Sequence, residues 1–293
     1  MTTTPIAAVT GVSGAQGAAI AAAFRDAGWQ LRGLTRGLTR GGAAAPPGIQ
    51  PVAVPPGDAA ALDRALEGAS VLAVTLPLDH RRSVREAWLA GLLLAAGRAG
   101  VGRVVLNLAT RPLPGHERPM ALAMRAMEAM ALAGPVPAAV LRPTVYMDNL
   151  LMPWAIGAAR EHGVFAYPVA PDIRIAWMSH RTLGAAALAA ATRPEAAGRG
   201  FDIAGPEAVT GPEIAAMLGG ALGKPVGFAT LDPAVLAAGM NAGFGAPVGD
   251  DIADLYRHLP IVPDALAGGD GNAALGLAPE SFAAWFARQT LAA

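Results

Sequence analysis

The sequence predicts an α/β fold with a doubly wound parallel sheet and a smaller C-terminal portion that covers the substrate. Short apolar runs alternate regularly with helical patterns over the first 150 residues, which indicates parallel strands joined by helices. The first apolar run leads directly into a glycine-rich turn and an Ala-rich helix. Because crossovers between parallel strands are nearly always right-handed, we expect the ligand site at the carboxyl ends of the strands.

Six strands are predicted in the first 150 residues, and helices fill most of the gaps between them. Pro77 ends the fourth strand, and the Arg142–Pro143 pair ends the sixth. The strands are predicted at 6–10, 30–35, 50–54, 70–76, 103–108 and 138–141. The helices are predicted at 18–27, 58–66, 81–97 and 119–132.

The alternation loosens after residue 149. We therefore interpret 1–150 as an NADP(H)-type nucleotide-binding domain and 151–293 as a smaller mixed α/β portion that binds the substrate. The sequence leaves open whether part of 151–293 adds a strand to the main sheet. Short strands are predicted there at 173–178 and 200–203, and helices at 181–191, 211–222, 233–242, 250–258 and 279–288.

Composition and charge favour a small-molecule ligand. Lys plus Arg and Asp plus Glu both number 22, so no net field attracts nucleic acid. The chain has no cysteine, which excludes thiolate chemistry, and we expect no metal site. The longest apolar stretch, 87–97, is too short to span a bilayer, so we expect no membrane role. The first residues lack a signal-peptide pattern, and we expect a cytoplasmic protein.

The segment VTGVSGAQG has the spacing G-x-x-G-x-x-G, with Gly11, Gly14 and Gly17 between a predicted strand and a predicted helix. Glycines at these positions allow a tight turn and a close approach of the backbone to a pyrophosphate. The free N–H groups at the start of the helix also favour negative charge. We therefore predict a Rossmann-type dinucleotide site; the alternative is an ordinary strand-to-helix turn.

The end of the second strand favours NADP(H) over NAD(H). A carboxylate at this place binds the ribose 2′-hydroxyl, whereas an arginine accommodates the 2′-phosphate. No Asp or Glu occurs between Gln30 and Pro56, while Thr35, Arg36 and Arg40 offer one hydroxyl and two cations. The alternative is a solvated basic loop.

The order of these motifs resembles the NmrA-like branch of the atypical short-chain dehydrogenases. The matching segments cover most of the chain. They are VTGVSGAQG at 9–17, GLTR at 33–36, PPGDAAALDRALEGASVLAVTLP at 55–77, VVLNLAT at 104–110, AVLRPTVYMDNLL at 139–151, and FDIAGPEAVTGPEIAAMLGGALGKPV at 201–226.

This resemblance implies an NADP(H)-binding domain with a substrate cleft against the C-terminal portion. It implies Arg36 at the 2′-phosphate, Asp58 near the adenine, and Leu76 and Pro77 along the cofactor. It places Asn107 to Thr110 near the nicotinamide. The residues implied around the pyrophosphate are Gly11, Ser13, Gly14, Ala15, Gln16 and Gly17. Members of the family include NADPH-dependent reductases and nucleotide-binding redox sensors.

The usual catalytic pair of short-chain dehydrogenases is missing from this chain. That pair is Tyr-x-x-x-Lys, in which the cation lowers the pKa of the tyrosine. Aligning Glu128 with the family's glutamate leaves Met120 and Met124 at the two positions, and no tyrosine precedes Tyr146. Since methionine cannot transfer a proton, the ordinary mechanism of ketone reduction is disfavoured.

Three functional hypotheses remain. The leading one is an NADPH-dependent reductase that delivers hydride to an apolar or aromatic electrophilic acceptor of quinone, imine or enone type. The second is a non-catalytic NADP(H) sensor that regulates a protein partner. The third is a Rossmann enzyme with non-redox chemistry. The sequence leaves open whether the chain forms a homodimer.

Other side chains are candidates for the catalytic work of the absent pair. His116 lies in the loop before the Met-rich helix and is a candidate acid or base, the alternative being an exposed loop histidine. Asn107 and Thr110 are candidates to orient the nicotinamide or a substrate carbonyl. Arg125 is one residue from the lysine position, so we expect it to point toward Glu128 or solvent.

Five residues are candidates to line the substrate site, each with a plainer alternative. For the aromatic and Met side chains the alternative is the core, and for His80 it is the start of a helix. The five are His80, Met120, Met124, Tyr146 and Trp177.

Replacing Arg36 with Ala tests the preference for NADP(H). Loss of a charge-assisted bond to phosphate should weaken NADPH binding about ten- to hundredfold and leave NADH binding nearly unchanged. Titration of the protein with each nucleotide measures this. An equal loss for both nucleotides would contradict the assignment to the 2′-phosphate.

Overall fold

The computed structural model describes residues 4–35, 47–77 and 81–289, and its centre is a seven-stranded parallel sheet. Its strands are β1 (Ile6–Thr10), β2 (Gln30–Thr35), β3 (Gln50–Ala53), β4 (Val71–Thr75), β5 (Arg103–Asn107), β6 (Ala138–Pro143) and β8 (Arg199–Ile203). The order across the sheet is β3-β2-β1-β4-β5-β6-β8, with helices on both faces, so the predicted doubly wound α/β fold is confirmed.

Five helices cover the two faces of this sheet. One face carries α1 (Ala15–Asp26) and α6 (His180–Thr192), which share a buried apolar cluster with the strands. The other face carries three helices that share a second cluster. They are α2 (Ala59–Leu66), α3 (Arg82–Arg98) and α4 (Pro119–Leu132).

The chain beyond residue 150 serves both parts of the molecule. Helix α6 and strand β8 return to the main sheet, where β8 pairs with β6 and Asp202 lies opposite Arg142. The other elements build the C-terminal portion around a two-stranded parallel sheet and a third apolar cluster. They are α5 (Pro153–His162), β7 (Val164–Tyr167), α7 (Gly211–Leu222), β9 (Gly227–Thr230), α8 (Pro233–Phe244), α9 (Val248–His258) and α11 (Phe282–Phe286). The short helix α10 (Gly271–Ala274) packs against β8 of the main sheet.

The strand predicted at 173–178 is wrong. Its backbone hydrogen bonds go to three different segments: Ile175 pairs with Val209, Met178 with Tyr146, and Ala176 donates to Leu266. Within the described chain this segment forms isolated bridges and no continuous ladder, because its partners lie in different segments. The sequence prediction also missed α5 and the two strands of the smaller sheet, which are only four residues long and carry little periodicity.

The strand order places the ligand edge of the sheet. Successive strands run outward from β1 in one direction, through β2 and β3, and from β4 in the other. In doubly wound sheets, ligands bind outside the carboxyl ends of the strands at such a reversal point. The turns after β1, β4, β5 and β6 therefore surround the candidate site. In the part of the chain that the structure describes, no helix is long and apolar enough to cross a membrane.

The contact between α1 and α6 yields a prediction about stability. A Cβ atom built on Gly184 would lie 2.5 Å from the carbonyl oxygen of Ala19, whereas one built on Gly91 in α3 meets nothing within 4 Å. Gly184→Ala should cost about 1–3 kcal/mol of unfolding free energy, because α6 must move away from α1. The control, Gly91→Ala, should be neutral or stabilising by about 0.5–1 kcal/mol. Urea denaturation compares them, and equal effects would contradict this packing.

Candidate functional site

The glycine turn after β1 is built by one positive backbone angle and one close approach. Gly11 has φ +68°, a conformation that side chains disfavour, and its carbonyl oxygen accepts from the Gly14 N–H at 2.9 Å. A Cβ atom on Gly17 would overlap the carbonyl group of Gly11. The turn therefore requires Gly11 and Gly17 and brings the first turn of α1 onto the end of β1.

The start of α1 fits an anionic group. Within the described chain, α1 has Gly14 as its N-cap, no side chain capping its N–H groups, and no acidic residue in its first turn. Such a helix start presents free donors and partial positive charge. Beside it, Thr10 Oγ1 accepts from the Thr75 N–H at 2.9 Å, and the buried Thr75 hydroxyl has no partner among the described residues. These residues fit the pyrophosphate of a dinucleotide.

Three polar side chains meet at the same edge of the sheet, and we call them the polar junction: Gln16, Asn107 and Tyr146. Gln16 Oε1 accepts from Asn107 Nδ2 at 2.8 Å and from the Tyr146 hydroxyl at 3.3 Å. The residues come from the start of α1, the end of β5 and the loop after β6. The junction thus joins the glycine turn to the segment expected near the nicotinamide.

Asn107 also holds the turn that follows β5. Its Oδ1 accepts from the N–H of Ala109 at 3.0 Å, and Ala109 has φ +66°. A left-handed conformation is costly for alanine and persists only where the surroundings enforce it. Strain of this kind often occurs at ligand sites. Thr110, the next residue, is half-buried.

A histidine and an acid support the ring of Tyr146. The imidazole of His180 stacks on the phenol with ring centroids 4.5 Å apart, and His180 Nδ1 lies 3.1 Å from Asp148 Oδ2. Burial works against ionisation of Asp148, but the hydrogen bond and charge of His180 outweigh it and lower the pKa of Asp148. Burial raises the pKa of Tyr146, with a smaller opposing effect from Asn107, so its hydroxyl is a donor at neutral pH.

Sequence reasoning missed His180 and Asp148, and it assigned Gln16 only to the pyrophosphate turn. The stack depends on a backbone bridge between Tyr146 and Met178. This bridge connects segments from different parts of the chain, and no local pattern in the sequence signals it.

His116 is buried, so the alternative that it is an exposed loop histidine is wrong. It is 2% exposed and stacks on His258 of α9 with ring centroids 4.7 Å apart. His258 Nε2 donates to the carbonyl oxygen of Pro114 at 2.8 Å, while His116 Nε2 has no partner in the described chain. Burial, followed by the neighbouring His258, lowers the pKa of His116. Its candidacy as a catalytic acid stays a prediction.

Arg125 lies elsewhere than expected. Its guanidinium donates to the carbonyl oxygens of His116 at 2.7 Å and Leu113 at 2.5 Å, so the expectation that it reaches Glu128 or solvent is wrong. Glu128 instead pairs with Arg142 at 3.0 Å. Arg125 thus holds the preceding loop by its backbone carbonyl groups.

A buried arginine ties the loop after β5 to the C-terminal portion. Arg111 is 7% exposed, and its NH1 donates to the carbonyl oxygens of Ala265 at 2.8 Å and Gly268 at 2.7 Å. Together with the stack of His116 on α9, this contact fixes the covering elements relative to the sheet.

The remaining predicted site residues lie in varied surroundings. Met120 is half-buried and packs against both the sheet cluster and the C-terminal cluster. Met124 and Trp177 are in the core, at 5% and 1% exposure. Asp58 caps α2 by accepting from the N–H of Ala61 at 2.8 Å. Leu76 is buried and Pro77 half-buried at the end of β4.

Arg36, Arg40 and His80 lie outside the described residues. The roles proposed for them therefore stay predictions from the sequence. Within 4–35, 47–77 and 81–289, no group of three or more His or acidic side chains could hold a metal ion.

The sequence profile of the NmrA-like family matches residues 3–259. The NAD(P)H azoreductase of Xenophilus azovorans is 28% identical over 264 residues, which cover 89% of this chain and 88% of that protein. The (4-alkanoyl-5-oxo-2,5-dihydrofuran-3-yl)methyl phosphate reductase of Streptomyces griseus is 33% identical over 251 residues, or 83% of each chain.

A solved structure is also similar. It is the NADPH-dependent quinone oxidoreductase of Escherichia coli in complex with NADPH, with a TM-score of 0.74 and 25% identity. The alignment covers 96% of this chain and 98% of that one. The likeness therefore extends over both the sheet and the C-terminal portion.

The surroundings of His116 predict a pH dependence of stability. The pKa of His116 is about 6.5 in the unfolded chain and lower in the folded protein. At pH values below about 6.5, the unfolded state therefore binds more protons than the folded state. The unfolding free energy should fall as the pH is lowered from there to the depressed folded pKa. Asp254 opposes this effect, while His258, Arg118 and Arg125 add to it.

Urea denaturation at about pH 7.5 and about pH 5.5 measures the effect. His116→Phe keeps a ring and should reduce the difference between the two values, whereas His162→Phe, at an exposed position, should leave it unchanged. A wild-type pH dependence in His116→Phe would contradict the assignment.

Proposed function

The chain belongs to the NmrA-like family of atypical short-chain dehydrogenases, and we propose that it is an NADPH-dependent oxidoreductase acting on an apolar or aromatic electrophilic acceptor. The acceptor is of quinone, imine or enone type. The observation that carries this proposal is the polar junction, which joins the dinucleotide turn to the ends of β5 and β6. The activities of the relatives support a reductase role: an azoreductase, a (4-alkanoyl-5-oxo-2,5-dihydrofuran-3-yl)methyl phosphate reductase and a quinone oxidoreductase.

The residues that would hold the cofactor come from three turns. The backbone of Gly11, Gly14 and Gly17 and the open start of α1 would hold the pyrophosphate. Asn107 and the strained turn through Ala109 would contact the nicotinamide. Arg36 would bind the 2′-phosphate, which is the reason for proposing NADPH over NADH. When bound, NADPH supplies the hydride.

The acceptor class follows from the missing catalytic pair. Met120 and Met124 stand where the family's tyrosine and lysine would be, and Met124 is packed in the core with no capacity for proton transfer. An acceptor that is already electrophilic needs mainly proximity and orientation for hydride transfer. Met120 lies between the sheet and the C-terminal cluster, which supports an apolar and adaptable acceptor site.

The same missing pair favours a second candidate, a nucleotide-binding sensor that regulates a protein partner. A sensor needs the glycine turn and the polar junction but has no need of a proton donor. The two candidates differ in turnover, because a sensor binds the nucleotide without consuming it.

Turnover with a panel of quinones, imines and enones tests the reductase proposal. The loss of nicotinamide absorbance should show NADPH oxidation with at least one acceptor, at about 1 per second or faster at saturation. Gly17→Ala should abolish both binding and turnover, because its Cβ would overlap the turn. Tight NADPH binding without oxidation by any acceptor would overturn the reductase proposal and favour the sensor.

A further inference from the structure

We propose that Asn107 and Tyr146 form a two-donor site for the carbonyl oxygen of the acceptor, with Tyr146 as a catalytic residue. This inference rests on the reductase function proposed above. During hydride transfer to a quinone or enone, an electron pair moves onto the carbonyl oxygen. Two donors directed at that oxygen would stabilise the developing charge.

The geometry of Gln16 Oε1 supports this proposal. A single carbonyl-type oxygen accepts from Asn107 Nδ2 at 2.8 Å and from the Tyr146 hydroxyl at 3.3 Å. The carbonyl oxygen of an acceptor has the same bonding capacity as this amide oxygen. We infer that Gln16 Oε1 occupies the place of the acceptor oxygen, and that Asn107 and Tyr146 donate to the acceptor oxygen from their present positions when the side chain of Gln16 moves away.

Tyr146 differs from the other two tyrosines of the chain in its location. Tyr167 and Tyr256 bond to each other, with their hydroxyl oxygens 2.5 Å apart, in the C-terminal cluster. The hydroxyl of Tyr146 instead reaches residues of the glycine turn and of the end of β5. It therefore lies at the ligand edge of the sheet, where the nicotinamide is expected.

The donor is held in place before any ligand arrives. The ring of Tyr146 is 6% exposed and stacks on His180, which Asp148 holds. The backbone is fixed on both sides, since Met147 N–H donates to Met178 and Met178 N–H donates to Val145, each at 2.9 Å. Donors that need no rearrangement stabilise a developing charge most effectively.

The step balances without proton transfer from tyrosine. The acceptor carbon gains the hydride with its two electrons, and the π-electron pair of the acceptor moves to the carbonyl oxygen. That oxygen accepts hydrogen bonds from Tyr146 and Asn107 and then takes one proton from water. Tyr146 keeps its own proton, so no cation like the family's lysine is required.

Two acceptors distinguish a catalytic role from a structural one. A naphthoquinone develops charge on oxygen, whereas a triarylmethyl cation becomes a neutral hydrocarbon when it gains hydride. Tyr146→Phe should lower kcat about a hundredfold with the naphthoquinone, while KM changes little, and should leave kcat with the cation within about twofold.

The control variant, Tyr256→Phe, also loses a buried phenol hydrogen bond and should preserve both activities. Equal losses with both acceptors in Tyr146→Phe would overturn the proposal in favour of a structural role. An unchanged kcat with the naphthoquinone would overturn it as well.

A binding measurement tests the site independently of turnover. The oxygen of 4-nitrophenolate is a stable stand-in for the developing oxyanion, and its absorbance reports binding. The protein loaded with NADP⁺ should bind it about tenfold more tightly than Tyr146→Phe does, with Tyr256→Phe like the wild type. Equal affinities, or no binding to the wild type, would overturn the two-donor site. Absence of NADPH oxidation with every acceptor would refute only the proposed reductase function.

Discussion

The double acceptance of hydrogen bonds by Gln16 Oε1 is the interaction on which the arrangement of the site depends. It fastens the end of β5 and the loop after β6 to the first turn of α1. Asn107 extends the same network to the strained turn at Ala109. Because Asn107 and Tyr146 are buried, each of their bonds that is lost leaves a buried polar atom unpaired, at a cost larger than the bond itself contributes. The network therefore specifies one arrangement of three turns.

Close backbone packing makes this network geometrically accessible. The turn at Gly11 and Gly17 allows α1 to start directly against β1, and Gly184 allows α6 to approach α1 on the same face of the sheet. The position of α6 in turn places His180, its first residue, against the ring of Tyr146. The glycines of the turn and Gly184 thus determine where His180 lies against Tyr146 at the ligand edge of the sheet.

Without the Tyr-x-x-x-Lys pair, α4 carries no tyrosine to donate a proton to a substrate. The helix that normally carries this pair packs Met124 into the core, and Arg125 holds the carbonyl groups of the neighbouring loop. The polar side chains Asn107 and Tyr146 instead lie at the end of β5 and in the loop after β6. The contacts of Arg111 and His116 with the C-terminal portion keep these turns beneath a covering layer. This arrangement is the basis of our proposal that the site orients a reactive acceptor and has no need to transfer a proton to it.

Local patterns in the sequence were sufficient to predict the six strands of the first half and the glycine turn after β1. These features depend on residues close together in the chain, through periodicity, turn chemistry and spacing. Only the tertiary structure decided that β8 pairs with β6, that His180 supports Tyr146, and that His116 is buried against His258. The physical reason is that these contacts join segments distant in sequence, and their partners are chosen by packing and by the pairing of buried polar groups.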